Sequence, residues 1–589
     1  MSAMLSGEIH YWRVAREHWS AVLDAARSLG VRTIASYVPW EHHERAPGVH
    51  DFEELTAFLA LVESKGFTFF ARPGPFIYAE WKNLGVPDRV VGFAKHTPEF
   101  RAAASEWIAA VMRVLQPRLG RLVIAVQADN EIDPMPHFHG EDQGFAAWLA
   151  RRFASVAELN RAWGTSYRGF DEALPTLYPF REDARYRDSQ QYRFDLATDY
   201  ARFVVGEYRK HCDATPIVLN TWPYVNAQNW RDLAELADVY GIDPYPDAEC
   251  NGDASELLEQ LRTLRMVARE PFVAEFGAGV WRGAKCDYGP DHYRLLAHAA
   301  LAAGVRGWNW YMLVERDNWQ GSPINERGDV DPRLGPAFRD AVSAFERLEH
   351  APAPETSFAV TWSWRWQQTA ATRRERPRDP LFAALAACGC EWDLVDVESE
   401  LGAPRVLFIA GEIDDPRRLL DLVERGCTLV CFQTLIDGVP RPDGTSHHAP
   451  DALESSLGFV TRRPVFAYRR VPGEPIVAVQ RAWTDDADQR LHQALAVGRE
   501  YVTGFVEPRG AGRLVVVGCE PSREAVLAVL ARFGAMPPAW SVTAGVHVAK
   551  RGDELVLVNA GAACTARIRV GERELVVDLP RSGGAISTL

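Results

Sequence analysis

Apolar residues follow two alternating rhythms through the first 345 positions. Short runs rich in β-branched and aromatic residues, such as Leu5–His10, Val31–Val38 and Phe67–Ala71, predict strands. Between them lie stretches with helical period. His18–Leu29 sets Trp19, Val22, Leu23 and Ala26 on one face, and Gly30 stops it; Leu55–Ser64 is helical and ends before Gly66. Further strands are predicted at Leu122–Ala128, Ile217–Asn220, Val239–Asp243, Phe272–Phe276 and Val305–Trp310, which makes eight. Helices are predicted at Glu99–Leu115, Gln191–Lys210, Ala254–Met266 and His292–Ala303. The strand starts at 31 and 67 are 36 residues apart, the size of one βα unit.

Eight strands alternating with helices predict an α/β protein built on a (β/α)8 TIM barrel over residues 1–345, with a doubly wound sheet as the rival. The longest insertion follows strand four, over about residues 132–190. Ala351-Pro-Ala-Pro354 reads as a linker. After it, Arg405–Ala410 and Cys427–Phe432 look like buried parallel strands separated by a helix at Asp415–Arg425, which predicts an α/β layer domain over 352–535. The tail, 540–589, reads as a small β-sandwich, from short runs at Val546–Lys550, Glu554–Asn559, Ala566–Val570 and Glu574–Leu579.

Composition narrows the function classes. The 589 residues are 47% hydrophobic and 24% charged, a globular balance. The 79 acidic and 65 basic residues leave a net charge of −14, which argues against a nucleic-acid partner. No long apolar run predicts a membrane span. The first eight residues lack a basic stretch followed by an apolar one, and the nine cysteines form no framework and no CxxC pair; a cytoplasmic protein with reduced thiols, no metal and no cofactor is expected. Most of the 19 tryptophans lie in the first 345 residues, and indole faces beside polar groups can grip sugars.

In a barrel of this kind chemistry gathers at the C-terminal strand ends. All eight carry polar or aromatic groups there: Glu8–Arg13, Tyr37–Glu44, Arg72–Trp81, Gln127–Glu131, Asn220–Trp222, Asp243–Tyr245, Glu275 and Trp308–Tyr311. A glutamate in a strand is costly to bury without a partner. Glu131 and Glu275, on strands four and seven, lie across the barrel from each other and could converge on one sugar. Glycoside hydrolysis needs such a pair, about 5–5.5 Å apart when anomeric configuration is retained. Asn130 could bond a sugar 2-hydroxyl, while alternation points Asp129 elsewhere, into a structural role.

Gly7-Glu-Ile-His-Tyr-Trp-Arg13, Tyr37-Val-Pro-Trp-Glu-His-His-Glu44, Arg72-Pro-Gly-Pro-Phe-Ile-Tyr-Ala-Glu-Trp81 and Gln127-Ala-Asp-Asn-Glu131 resemble the successive signatures of glycoside hydrolase family 35, the β-galactosidases. The insertion segment Leu159-Asn-Arg-Ala-Trp-Gly-Thr-Ser-Tyr167 and the domain after the barrel resemble family 42 β-galactosidases instead, the latter their amidotransferase-like trimerisation domain. The resemblance implies a retaining, exo-acting β-galactosidase with Glu131 as acid/base and Glu275 as nucleophile. It implies galactose contacts from Tyr37, Glu80 and the Ala79 backbone, and a strand-eight tyrosine motif at Tyr311-Met312. Tyr245 joins the expected substrate contacts, and Trp281, Trp310 and Trp319 are candidate stacking platforms. Tyr37 could instead be core packing, and Glu80 could pair with Arg13 or Arg72. His42 and His43 read as rim residues.

Tyr78, Gly277-Ala-Gly279 and Leu313–Trp319 depart from the family 35 pattern. They leave open an exo-β-glucosaminidase or a β-glucoside-acting hydrolase or transglycosylase. Asn130, where an amino sugar would favour an acid, points to a neutral 2-hydroxyl. A non-catalytic sugar-binding protein has no need of the acid pair, and Cys431 lacks the glycines of an amidotransferase nucleophile. The expected partners are a small oligosaccharide or glycoside substrate and, by analogy, a second or third copy of the chain in a homo-oligomer.

Overall fold

A computed structural model of the chain describes residues 4–132, 141–176, 184–224, 228–282, 288–367, 379–399, 402, 404–411, 417–432, 504–517 and 521–589. Parts of the predicted 132–190 insertion and much of the predicted 352–535 domain therefore lie outside the described residues.

Eight parallel strands close a barrel: β1 (Met4–Glu8), β2 (Thr33–Tyr37), β3 (Thr68–Arg72), β4 (Val123–Gln127), β5 (Ile217–Thr221), β6 (Val239–Ile242), β7 (Pro271–Gly277) and β8 (Gly307–Tyr311). Each pairs with its neighbours in sequence order, and β8 returns to β1. The closure removes the doubly wound alternative. Strands buried on both faces need helices outside, and the crossovers supply them: Trp19–Ser28, Glu53–Ser64, Pro98–Leu115, Ala184–Arg209, Ser255–Val267 and Pro290–Ala302 among others. The helix predicted from Gln191 starts at Ala184. Its first turns bury polar groups against the insertion, with Asp188 accepting from Trp163 Nε1 at 2.7 Å. The apolar period is therefore missing where the helix begins.

The barrel interior is layered. Met4, Ala35, Phe70, Ala125, Val218, Val239, Phe272 and Ala274 fill the lower part. One step further along the inward face, Phe70 gives way to Arg72, Ala125 to Gln127 and Val218 to Asn220, all buried. Strand β7 breaks this two-residue period. Its register against β8 runs from Val273 opposite Trp308 to Phe276 opposite Trp310, with one extra residue on β7. That bulge leaves Ala274 in the interior core while Glu275 lines the pocket above it.

The chain continues into a six-stranded sheet of β9 (Ala359–Trp362), β10 (Asp393–Asp396), β11 (Val406–Phe408), β12 (Thr428–Phe432), β13 (Gly504–Arg509) and β14 (Gly512–Val517), in the order β10-β9-β11-β12-β14-β13. Only the β13–β14 hairpin is antiparallel. Six short strands follow: β15 (Ala539–Ser541), β16 (Val546–Arg551), β17 (Glu554–Asn559), β18 (Cys564–Val570), β19 (Arg573–Leu579) and β20 (Gly583–Thr588). They form two three-stranded sheets around a shared core that includes Val548, Leu555, Leu557 and Ile568. Buried Glu391 ties the parts together. It accepts from Arg262 Nη2 at 2.9 Å and Arg265 Nη1 at 2.7 Å on a barrel helix, and lies 2.8 Å from His547 Nε2 on β16.

Candidate active site

The polar strand ends converge on a cavity of ≈ 410 Å³ at the C-terminal mouth of the barrel, within the range of small-molecule sites. Its lining contains Glu131, Glu275, Tyr37, Ala79, Glu80, Asn130, Tyr245, Trp281, Tyr311 and Trp319, as expected from the sequence, but not Trp310.

Glu275 is held from three sides. Arg72 Nη2 on β3 donates to its Oε1 at 2.5 Å, the Tyr37 hydroxyl donates to the same oxygen, and the Tyr245 hydroxyl donates to Oε2 at 2.5 Å. The guanidinium also reaches Glu8 Oε2 at 3.0 Å and Gln127 Oε1 at 2.9 Å. Burial works against the charge of Arg72, but Tyr37, Glu8 and Glu275 outweigh it and hold its pKa well above the usual value. Burial, with the charge of Glu275 adding to it, raises the Tyr245 phenol well above its usual range, so it remains a donor. Tyr37 is raised too, by burial above all.

Glu131 and Glu275 place carboxylate oxygens within 4.8 Å of each other, on one pocket. Asn220 on β5 sets the backbone on the Glu131 side: its Oδ1 accepts from Glu131 N at 2.9 Å, and its Nδ2 donates to Asn130 Oδ1 at 2.7 Å. The chain turns sharply there, with Asp129 at φ 63° and Glu131 at φ 43°. Left-handed backbone at non-glycine residues is costly and clusters at functional sites. Asp129 plays the structural part expected of it, accepting from Phe76 N at 2.6 Å and lying 3.6 Å from buried Lys95.

The other expected residues take varied roles. Tyr37 is fully buried, and its hydroxyl is directed at Glu275. Glu80 pairs with Arg316, 2.5 Å away, rather than with the side chain of Arg13 or Arg72; Arg13 reaches only its carbonyl. Arg316 also donates to the Tyr311 hydroxyl at 3.2 Å. Trp319 is almost buried and donates to Ala278 O at 2.8 Å, while Trp281 is 52% exposed at the rim. Trp310 cannot be a platform: it is fully buried and stacks on Phe276. His43 is buried and bonds Tyr11, and His42 meets Glu54 at 2.7 Å beside the barrel mouth. The glycines after the second glutamate have a local reason. A Cβ at Gly277 would approach Tyr245 Cδ1 to 3.0 Å, and Gly279, at φ +78°, lies against Trp319 and Gln320.

Sequence reasoning placed Arg72, Glu8, Asn220 and Asp243 among the polar strand ends but gave none of them a role in holding the two glutamates. Glu8 and Arg72 end their strands, Asn220 is the penultimate residue of β5 and Asp243 directly follows β6; a buried charged or amide side chain at such a position is the signal for a role in the site. Trp222, 41% exposed, and Tyr288 complete the rim. Glu131, Asp243 and Glu275 are close enough to surround a cation. Both oxygens of Glu275 already accept from Arg72, Tyr37 and Tyr245, an environment suited to a carboxylate that reacts rather than one that ligates.

Two glutamates brought to one pocket from different walls of a barrel are the arrangement that glycoside hydrolysis needs. The comparisons narrow the class. Residues 1–165 match the model of Glycosyl hydrolases family 35, and residues 89–327 match the family 42 model, described as Beta-galactosidase. The chain thus resembles β-galactosidase-like glycoside hydrolases of two families, its beginning matching family 35 and its continuation family 42. A β-galactosidase of Macaca fascicularis is 33% identical over 364 residues, covering 60% of this chain and 47% of that protein. A β-1,2-glucosyltransferase of Ignavibacterium album is 24% identical over 371 residues, covering 54% and 52%. The chain spans about half the length of these curated relatives. The solved cold-adapted β-galactosidase of Rahnella sp. R3 shares the fold along the whole chain, with a TM-score of 0.78 at 14% identity, covering 100% of this chain and 98% of that one.

Proposed function

We propose that this protein is an exo-acting, retaining β-galactosidase. In this reading Glu275 attacks the anomeric carbon while Glu131 protonates the leaving oxygen; Glu131 then deprotonates the water that releases the sugar. The observation that carries it is the approach of the two carboxylates within 4.8 Å, close to the short separation that retention requires. The three donors on Glu275 support its assignment as nucleophile, because they fix the orientation of its carboxylate in the pocket. Asn130, held beside Glu131 by Asn220, is suited to a neutral sugar 2-hydroxyl. Ala79, Glu80, Tyr311 and Trp319 line the same pocket and would contact the terminal sugar.

The exposed indoles of Trp222 and Trp281 favour a second outcome, transfer of the glycosyl group to an acceptor sugar stacked at the mouth. The domain division at 1–345, 352–535 and 540–589 is part of the proposal, as is assembly into a dimer or trimer. No helix among the described residues is long and apolar enough to cross a membrane. The free cysteines among those residues support a reducing, cytoplasmic setting. A panel of nitrophenyl β-glycosides tests the activity: fastest release from the galactoside, with β-galactose as first product by NMR, is expected. Preference for the glucosaminide or glucoside would replace the sugar assignment, and sedimentation would give the subunit count.

A further inference from the structure

Three carboxylates meet in the pocket, and the proposed reaction uses two. Oxygens of Glu131, Asp243 and Glu275 all lie within 4.8 Å of one another. Asp243 directly follows β6 and is fully buried. Its N–H donates to Thr221 O at 3.0 Å, and its Oδ2 accepts from Asn220 Nδ2 at 2.5 Å. No N–H or O–H group of the described residues donates to its Oδ1. An Asp243 carboxyl oxygen instead lies within 4.8 Å of one from Glu131, in a site closed to solvent on the Asp243 side. Two carboxyl groups sharing such a site disfavour double ionisation, so that one proton is retained by the pair.

The surrounding charges agree. The charged groups facing Asp243 are Glu131 after β4, Glu275 on β7 and Arg72 on β3. Arg72 is the one cation among them, and its nitrogens are directed at Glu275, Glu8 and Gln127. Burial first, then Glu275 and Glu131, push the Asp243 carboxyl well above the usual range, with Arg72 opposing.

We propose that Asp243 is a positioning residue that holds one proton jointly with Glu131, keeping the acid/base carboxyl loaded at neutral pH. The catalytic part of this inference rests on the glycosidase reading above. The proton count balances through the cycle. Before reaction, Glu275 carries one negative charge and the Glu131–Asp243 pair carries another. As the Glu275–anomeric carbon bond forms and the glycosidic C–O bond breaks, the shared proton passes from Glu131 to the leaving oxygen. Glu275 becomes a neutral ester while the pair becomes doubly negative, so the three carboxyls keep two negative charges throughout. Water then attacks the anomeric carbon, the Glu275–anomeric carbon bond breaks to return the Glu275 carboxylate, and the proton of the water goes back to the pair. Repulsion inside the deprotonated pair makes Glu131 a stronger base for that second step.

The test uses the full-length protein, Asp243→Asn and Glu131→Gln. Infrared difference spectra at neutral pH are expected to show a protonated-carboxyl stretch in the wild type that both variants lose. Absence of the band, or its survival in Glu131→Gln, overturns the shared proton even if Asp243→Asn fails to fold. In pH profiles of kcat/KM on an alkyl β-galactoside, Asp243→Asn is expected to move the basic limb down by about one pH unit or more. Stoichiometric labelling of that variant by a 2-deoxy-2-fluorogalactosyl fluoride would show that its pocket is intact, and an unmoved limb would then overturn the role. If the band behaves as expected but no glycoside is cleaved, the glycosidase reading fails and the shared proton stands. If glycosides are cleaved and the band is missing, the reverse holds.

Discussion

Arg72 Nη2 lies 2.5 Å from Glu275 Oε1 inside a wall of the barrel where the arginine has no exposed surface. The carboxylate assigned as nucleophile is therefore half of a buried ion pair, and Glu8 shares the same guanidinium at 3.0 Å. Removing one partner of such a pair leaves a buried charge uncompensated. Arg72→Met is expected to destabilise the fold by about 3–5 kcal/mol in urea denaturation. Arg72→Lys should recover only part of that, because one ammonium cannot serve both acids in the planar fork geometry.

Glu275→Gln should nearly abolish turnover, and azide should rescue Glu275→Gly by forming an α-glycosyl azide, identified by NMR. Glu131→Gln should lose about 10²–10⁴-fold on alkyl glycosides and far less on nitrophenyl ones, whose leaving groups need little protonation. Equal losses on both substrate types would mean that Glu131 is not the acid.

Tyr245 gives Glu275 a second anchor, at 2.5 Å. Tyr245→Phe keeps the ring against Gly277 and removes only the hydroxyl. A hydrogen bond to a charged group is worth about 1.5–3 kcal/mol, so kcat is expected to fall roughly ten- to a hundredfold. A thermal melt should show little change.

Trp222 and Trp281 stand at the mouth with 41% and 52% of their surfaces exposed. Replacing either by Ala should raise KM for disaccharides several-fold, by about 1 kcal/mol of lost stacking. Cleavage of galactosyl fluoride, which has no aglycone ring, should be unaffected.

Buried histidines predict the acid side of the stability curve. Burial lowers His43 to about 4 and His292 to about 3, from the usual 6.5. Both stay neutral in the folded protein while the unfolded chain takes up protons below pH 6.5. Stability is thus independent of these two groups above pH 6.5. It falls below that value, by up to about 1.4 kcal/mol per pH unit for each group, until about pH 4 for His43 and about pH 3 for His292. Urea midpoints at pH 7 and pH 5 measure the slope, and a flat response would show that the rings ionise within the fold.

Much of the architecture was legible in one dimension. The period of apolar residues marked all eight barrel strands to within a few positions, because strands buried on both faces read as unbroken apolar runs. Polar groups at every strand's C-terminal end marked the pocket. Where polar residues are buried against an insertion, as Asp188 is beside Trp163, the helix start was invisible.

The sequence by itself determined the order of the elements, the two glutamates and the end of the barrel on which they lie, because each is a local property of one strand and its neighbours. Tertiary structure alone decided which way the strand ends face. The extra residue on β7 turns Glu275 inward next to Ala274, against the two-residue period, and the cause is register with β8, which exists only once the sheet closes. Closure likewise carries Arg72 from β3 to Glu275, and brings Asp243 to Glu131 across more than a hundred residues of chain. No pattern along the chain encodes a distance between strands.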